Sequence, residues 1–238
     1  MRKRLISYAV AVFMLISVVP VYADEDIGTI IAHFNEVVQG FVPEHTHGEE
    51  IVYSDIIECE WAHESIYALT EAGVLVGDQA GLFHPDASVT VKEFTKMLVL
   101  SLGLVDDRAA SNYSDVPPYD WSYLYISSAK ECGLLDMFAG DSLGADGVIT
   151  REQMAYMAGK ALEQFGVALD FTQTESFLDG GEIAPEAVNY VYALKNLGII
   201  KGMGNNLFEP NRYTRRSEAA VIIYKVILAA DKNLGQEG

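Results

Sequence analysis

Residues 90–102 read TVKEFTKMLVLSL, and this stretch decides how the chain folds. Counted from Phe94, apolar side chains recur at i, i+3, i+4 and i+8, with Ser101 at i+7, which predicts an amphipathic helix with one apolar stripe. The stripe returns in TREQMAYMAGKAL at residues 150–162 and in RRSEAAVIIYKVI at residues 215–227. A single helical unit of this kind cannot bury its stripe alone, so the three are expected to pack on one another.

The three stripes belong to a repeat that begins further upstream. Tyr53-Ser54-Asp55 recurs as Tyr113-Ser114-Asp115 and, loosely, as Phe177-Leu178-Asp179. In every copy a glycine is followed ten residues later by Phe or Leu, as in Gly73 and Phe83, Gly133 and Leu143, and Gly198 and Phe208. Each copy therefore predicts helix, loop and helix, with the glycine ending the first helix in the left-handed conformation. The expected product is an all-α body with pseudo-threefold character.

The start of each second helix carries a capping signal. Thr90 with Glu93, and Thr150 with Gln153, fit the capping box, in which the threonine and the third helical residue satisfy each other's backbone amides. This interpretation leaves the side chain of Arg151 free to project. In the third copy Arg215 stands at the capping position, so Thr214 would have to cap in a shifted register.

Composition excludes several classes of protein. The chain has 238 residues, 34 acidic against 16 basic, a net charge of −18 and 50% hydrophobic content. So much apolar and aromatic chain argues against intrinsic disorder, and the acidity argues against a nucleic-acid binder. Two cysteines, Cys59 and Cys132, are too few for a disulfide scaffold and form no CxxC pair. His45-Thr46-His47 fits a solvated linker better than a metal site, and no cofactor is expected.

The N-terminus predicts export. A basic segment, Arg2-Lys3-Arg4, precedes an apolar run from Leu5 to Val19, and Ala23 closes a small-residue cleavage site, which is the layout of a secretory signal peptide at residues 1–23. An uncleaved anchor is the alternative, although the run is short for a membrane span. Cleavage removes three positive charges and takes the net charge from −18 to −21. No later segment approaches membrane length.

The repeated motifs resemble the S-layer homology domain. The pattern is aromatic-x-Asp, a tryptophan, a helix ending in glycine, then Phe-x-Pro and Thr-Arg-x-Glu. It covers three repeats, at residues 53–106, 113–165 and 177–230, behind an N-terminal segment and linker at residues 24–52. The segment at residues 24–52 and the tail from Ala230 are too short for a separate effector domain.

The resemblance implies a non-catalytic wall-binding protein. Three such domains form a pseudo-threefold helical bundle with prongs and bind secondary cell-wall polysaccharide, in many cases with a pyruvylated sugar, in the grooves between prongs. The implied location is outside the cell, in the cell wall or surface layer. A pyruvate carboxylate suits an arginine guanidinium, and a tryptophan face suits a sugar ring.

Carrying the family's binding residues onto this chain leaves no copy with a full set. The implied ligand-binding residues are Asp55, Trp61, Gly77, Asp115, Trp121, Arg151, Asp179, Gly202 and Arg216. Val91 replaces the arginine in the first copy, Met137 replaces the glycine in the second, and Pro185-Glu186 replaces the tryptophan in the third. Because grooves are shared, two copies could still complete one or two sites.

Several alternatives stay open from the sequence. The tryptophans could be core residues, the aspartates could cap helices or turns, and each arginine could be a solvated surface residue. At the level of function, the chain could be a repeat scaffold for protein partners or for self-association. An exported glycan hydrolase is the less favoured alternative, because no paired carboxylates or nucleophile–base arrangement can be identified.

Overall fold

A computed structural model describes residues 53–173 and 175–234 of the chain. The predicted signal peptide and His45-Thr46-His47 lie outside these residues. The described part contains six α-helices and no β-strand, which confirms the all-α prediction. The helices are α1 (His63–Glu71), α2 (Val91–Ser101), α3 (Tyr123–Glu131), α4 (Arg151–Gln164), α5 (Pro185–Asn196) and α6 (Arg216–Leu234). Short 3-10 turns at Glu60–Ala62 and Gly180–Glu182 precede α1 and α5.

The main helix pairs join neighbouring copies. The first helix of the second copy, α3, packs on α2 of the first copy, and α5 of the third copy packs on α4 of the second. The series closes on itself, since α1 of the first copy packs on α6 of the third. Each copy supplies helix, loop and helix, as predicted. The main packing partner of each first helix is the second helix of the preceding copy in this closed series.

The predicted apolar stripes form the core. All five stripe positions of α2, α4 and α6 are buried, and so are Ile66, Ile126 and Val191 on the first helices. The three repeat glycines follow the first helices with φ of +70°, +69° and +72°, at Gly73, Gly133 and Gly198, which confirms their role as left-handed C-caps. The two tryptophans do not belong to the core, since Trp61 is 59% exposed and Trp121 is 51% exposed.

A closed ring of three backbone hydrogen bonds joins the copies just before their second helices. The Val89 amide donates to the Thr214 carbonyl at 3.2 Å, Thr214 to Ile149 at 3.0 Å, and Ile149 back to Val89 at 2.9 Å. Each copy is thus donor to one neighbour and acceptor from the other. This threefold pattern of bonds fits the predicted pseudo-threefold body, while the prongs stay a prediction.

The helix caps agree with the sequence in two copies and differ in the third. Capping boxes are present at Thr90 with Glu93 and at Thr150 with Gln153. The expected shifted cap at Thr214 is wrong: its hydroxyl is buried and meets no hydrogen-bond partner in the described part of the chain. The reason is that the Thr214 backbone belongs to the ring of hydrogen bonds, which turns the side chain inward. The Glu218 carboxylate instead accepts from the Arg215 amide at 3.0 Å.

Two further observations complete the fold. Cys59 and Cys132 are both half-buried, and neither forms a disulfide with a described residue. No helix within residues 53–173 and 175–234 has the length and apolar character needed to cross a bilayer.

Candidate functional site

Each second helix begins against a loop of another copy, which creates three junctions. Each junction is named by the two copies that meet there, so that junction 2/3 joins the second copy to the third. At junction 2/3 the first two amides of α4 donate to carbonyls of the third copy, and at junction 3/1 those of α6 donate to the first copy. At junction 1/2 those of α2 donate to the second copy. The donor–acceptor pairs are Arg151–Arg212 and Glu152–Pro210, then Arg216–Ala87 and Ser217–Pro85, then Val91–Gly147 and Lys92–Ala145. Arg151 and Arg216, which the family resemblance implies as binding residues, therefore lie where two copies meet.

Arg151 is buried at junction 2/3. It is 5% exposed, its Nε donates to the Phe208 carbonyl at 3.0 Å, and its Nη2 donates to the Lys201 carbonyl at 3.2 Å. The guanidinium also lies over the Phe208 ring, 5.1 Å from its centroid. Burial lowers the pKa of Arg151 below its ordinary value. The expectation that this side chain projects freely is wrong, because the third copy's loop closes over it.

An ion pair within the third copy and a hydrogen bond between the second and third copies complete junction 2/3. Both oxygens of Glu218 accept from Arg212 at 2.9 Å, and the Glu152 carboxylate accepts from the Ala184 amide at 2.8 Å. Burial opposes ionisation of Glu218 most strongly, but the hydrogen bonds from Arg212 and from the Arg215 amide, together with the charges of Arg212 and Arg151, hold the pKa of the carboxyl below its ordinary value. Pro185 begins α5 where the other copies have tryptophan. Junction 2/3 is thus a satisfied interface.

Arg216 occupies the equivalent position at junction 3/1 with fewer partners. Its Nη2 donates to the Val76 carbonyl at 2.7 Å, and the guanidinium lies 4.8 Å from the centroid of the Phe83 ring. Its Nε is buried and has no hydrogen-bond acceptor among the described residues. A buried donor without an acceptor is costly, and Arg151 satisfies the same atom. Arg216 therefore keeps donor capacity that Arg151 has used.

Junction 3/1 also carries an exposed tryptophan. Trp61 lies in the 3-10 turn that packs beside α6, and 59% of it is exposed. The first copy adds Gly77, next to the carbonyl that Arg216 binds, and Asp55. Within the described residues, junction 3/1 is the one at which an arginine meets a loop that carries a glycine and an aspartate of the expected set while the turn with a tryptophan of that set packs on the arginine's helix.

Junction 1/2 differs chemically from the other two. Val91 replaces the arginine and is 3% exposed, and Leu143, 4% exposed, replaces the phenylalanine. Met137 stands at the glycine position. Trp121 is half exposed here, and two lysines of α2, Lys92 and Lys96, lie 5.3 and 5.6 Å from the centroid of its ring.

The aspartate of the aromatic-x-Asp motif stabilises a loop of its own copy in all three repeats. Asp55 accepts from the Phe83 and His84 amides at 2.9 and 2.7 Å, and Asp179 accepts from Phe208 and Glu209 at 2.8 and 2.7 Å. In the second copy Asp115 accepts from the Leu143 amide and from the Ala145 amide, both at 2.8 Å, so its second donor lies one residue further along than in the other copies. Burial opposes ionisation of Asp115, but these amides keep its pKa below the ordinary value. These hydrogen bonds support the alternative in which the aspartates stabilise turns.

The two loop glycines also have a packing role. A Cβ at Gly77 would overlap the Tyr53 ring and lie 2.9 Å from the Leu82 carbonyl oxygen. At Gly202 it would lie 2.9 Å from the Leu207 oxygen and 3.2 Å from the Phe177 ring. These glycines therefore let the loop close on the first aromatic residue of the repeat.

Two sets of residues were not predicted from the sequence. They are the phenylalanines on which the arginines lie and the lysines at junction 1/2. Phe83 and Phe208 were part of the repeat signal, but nothing in their spacing indicated that an arginine of another copy lies on each ring. Lys92 and Lys96 carry a detectable signal, since they are one helical turn apart and have no lysine at the corresponding positions of the other two copies. No cluster of metal-ligating side chains occurs among the described residues.

Comparison with known proteins gives one consistent result. A family model for the S-layer homology domain matches residues 52–95, 112–155 and 176–220. The chain is 32% identical over 174 residues to an amylopullulanase of Thermoanaerobacterium thermosulfurigenes, with 72% of this chain and 9% of that protein aligned. It is 31% identical over 176 residues to an S-layer protein of Bacillus licheniformis, covering 72% of this chain and 19% of that protein. The S-layer protein EA1 of Bacillus anthracis is 30% identical over 192 residues, covering 78% and 20%. The chain thus spans a fifth or less of these relatives.

Proposed function

This chain belongs to the S-layer homology domain family, and from that premise we propose that it is exported and attaches to secondary cell-wall polysaccharide. The family and the S-layer relatives identify it as a cell-wall anchoring module at the cell surface. The polysaccharide, its charged sugar and the junction that binds it are our proposal.

The partly exposed guanidinium of Arg216, which donates to a single carbonyl in the described part of the chain, is the observation that carries this assignment. Arg216 lies over Phe83, with one donor on the Val76 carbonyl and another donor without an acceptor. An acidic sugar substituent, such as a ketal-linked pyruvate, supplies the acceptor oxygens that a guanidinium binds in charge-assisted pairs. Because the chain is strongly acidic overall, long-range attraction cannot supply the affinity, and this local contact has to.

The first copy provides the remaining contacts at junction 3/1. The exposed Trp61 offers an aromatic face on which the apolar side of a sugar ring can stack. Asp55 holds the loop that carries Phe83, and its remaining lone pairs can accept from sugar hydroxyls. Gly77 keeps this loop closed against Tyr53. We therefore assign one site of this type, shared by the third and first copies.

The other two junctions are assigned different roles. At junction 2/3 Arg151 is buried and donates to two carbonyls, and proline replaces the tryptophan, so we assign that arginine to the interface between copies. At junction 1/2 the arginine is absent, so the residues there, Asp115 and Trp121, are not part of a second site of the same chemistry. Of the one or two completed ligand sites expected from the sequence, we propose a single one, at junction 3/1.

A non-catalytic role agrees with the kinds of relatives that share this region. The same stretch of chain aligns with part of an amylopullulanase and with part of two S-layer proteins. We take a segment shared by an enzyme and by surface-layer proteins to serve attachment, a role that both kinds of protein can use, and not catalysis.

The test is a pull-down with purified wall sacculi, either native or stripped of secondary polymer. The chain should sediment with native sacculi and stay in solution with stripped ones. Arg216→Ala should abolish sedimentation, because it removes the anion-binding donors. Arg215→Ala is the matched control, since Arg215 is the adjacent residue and pairs with the exposed Asp86 at 2.9 Å. Equal sedimentation with both preparations, or retention by Arg216→Ala, would exclude the assignment.

A further inference from the structure

One loop of the first copy carries a histidine in the left-handed backbone region. His84 has a φ of +60°, and the corresponding residues are Gly144, with a φ of +72°, and Glu209, with a φ of +58°. Glycine adopts this conformation freely, whereas a histidine or a glutamate adopts it at a cost in conformational energy. The contacts of the His84 side chain therefore have to offset this cost.

The His84 side chain is paired with an aspartate of the same loop. Its Nε2 lies 2.7 Å from Oδ2 of Asp78, and Oδ1 of that carboxylate accepts from the Ala80 and Leu82 amides at 2.8 and 2.9 Å. The Asp78 amide donates to the Leu82 carbonyl at 2.9 Å. The Leu82 amide and His84 hold the pKa of Asp78 below its ordinary value, so this carboxylate is ionised throughout the pH range in which histidines titrate.

This pair closes the segment of chain on which Arg216 rests. Arg216 donates to the Val76 carbonyl, two residues before Asp78, and lies on the Phe83 ring, one residue before His84. The bond between Asp78 and His84 thus joins the two ends of the loop, next to each point at which the loop meets the arginine.

The other two copies lack the pair. Phe138 and Met203 stand at the position of Asp78, and Gly144 and Glu209 stand at that of His84. Neither combination can form an ion pair between these two positions. The pair is therefore confined to the copy whose loop meets the partly exposed arginine.

Most charged groups around His84 are carboxylates. They are Asp78 on its own loop, Asp55 upstream of α1, and Asp86, and the cations nearby are Arg215 and Arg216, just before and at the start of α6. Asp55 accepts from the His84 amide at 2.7 Å, and Asp86 is paired with Arg215 at 2.9 Å. A proton on His84 therefore adds a positive charge to an acidic surface beside Arg216, and this favours an anionic ligand there.

We propose that Asp78 and His84 are positioning residues of junction 3/1, and that protonation of His84 strengthens attachment to the wall in acidic surroundings. The inference rests on the proposed wall-glycan function in taking an anionic sugar as the ligand of Arg216. The imidazolium donates a charge-assisted hydrogen bond to Asp78, which holds the loop closed beneath the arginine. As the pH rises, His84 loses its proton, so the loop is held less firmly and an anionic ligand meets more negative charge.

Sacculus sedimentation measured at several pH values and constant ionic strength tests this inference. The dissociation constant of the parent protein should rise about threefold between about pH 5.5 and about pH 8, as expected for one partly screened charge. His84→Gln retains a neutral donor and cannot titrate in this range. Its binding should therefore not change with pH and should match that of the parent at the upper value.

Asp78→Asn should likewise reduce the pH effect, because the imidazolium loses its carboxylate partner. His63→Gln is the matched control: His63 lies in α1 and bonds to the Ile56 carbonyl at 2.7 Å, so this variant should keep the pH profile of the parent. The proposal is overturned if the parent binds equally at both ends of the range, or if either His84→Gln or Asp78→Asn keeps the parent's pH profile. Absence of sedimentation by the parent at every pH is a separate result, which overturns the proposed function and this inference with it.

Discussion

Arg151 and Arg216 stand at the same position of the repeat and lie on equivalent phenylalanine rings, but they differ in their hydrogen bonds. Arg151 donates to two carbonyls and is almost completely buried, whereas Arg216 donates to one and keeps a buried Nε unpaired. From sequence alone the two are the same binding residue. The comparison shows that a repeated motif identifies a position in the fold, and that the partners across the junction determine how many donors of its side chain are satisfied within the protein.

The largest expected effect distinguishes the two arginines by stability. Arg151→Ala should lower the free energy of unfolding by about 3 kcal/mol, because two buried carbonyls lose a charged donor and a cavity opens over Phe208. Arg216→Ala should cost about 1 kcal/mol, since it breaks a single hydrogen bond, and removal of the buried unpaired Nε offsets the lost contact with Phe83. Urea denaturation followed by circular dichroism measures both. Equal losses would contradict the comparison.

A second test examines the loop of the first copy, on which Arg216 rests. Gly77→Ala should destabilise the protein by about 2 kcal/mol, because the new methyl group overlaps the Tyr53 ring. Met137→Ala, at the same position of the second copy, is the control and should cost about 1 kcal/mol or less, since this loop already accommodates a side chain. Both are measured by thermal unfolding. A Gly77→Ala protein as stable as the parent would show that the first loop is not closed as described.

The third prediction concerns the ring of hydrogen bonds common to all three junctions. Thr214→Val should raise the free energy of unfolding by about 1 kcal/mol, because it removes a buried hydroxyl without a partner and retains its shape. The corresponding residues, Val89 and Ile149, are already apolar. The denaturation midpoint measures the change, and a lower midpoint would mean that the hydroxyl has a partner in solution.

The smallest expected effect is a change in acid sensitivity at junction 2/3. Folding lowers the pKa of Glu218 from its ordinary value of 4.5, so the ionised carboxylate adds stability that is present above that value and is lost as the pH falls through the lower folded pKa. Glu218→Gln should therefore lose less stability than the parent as the pH is lowered from about 6 to about 3. Glu186→Gln, an exposed residue of α5, serves as control. An unchanged acid profile in Glu218→Gln would contradict this role of the Arg212 pair.

Much of the fold was predictable because local signals agree with the final structure. The apolar stripes, the capping boxes at Thr90 and Thr150 and the left-handed glycines all depend on residues close in sequence. The pairing of α1 with α6 was not predictable, since all first helices and all second helices share one pattern and nothing local tells a helix which copy it will meet.

The candidate site was predictable as a set of residues and not as an arrangement. Arg216 and Trp61 were identified separately, in the third and the first copy, and their meeting at one junction follows from the long-range closure of the body. The burial of Arg151 was missed for the same reason, since it depends on carbonyls about fifty residues away, at Lys201 and Phe208.

The closure of the first copy onto the third has a consequence for biosynthesis. Trp61 and Gly77 leave the ribosome about 150 residues before Arg216 does, and at ordinary rates of elongation this delay lasts on the order of ten seconds. Throughout that interval the arginine that completes junction 3/1 does not exist, so a partly made or truncated chain cannot assemble the proposed site. Attachment to the wall then doubles as a check that the chain was made to its third repeat, and defective copies would be lost to the medium rather than occupy the polymer.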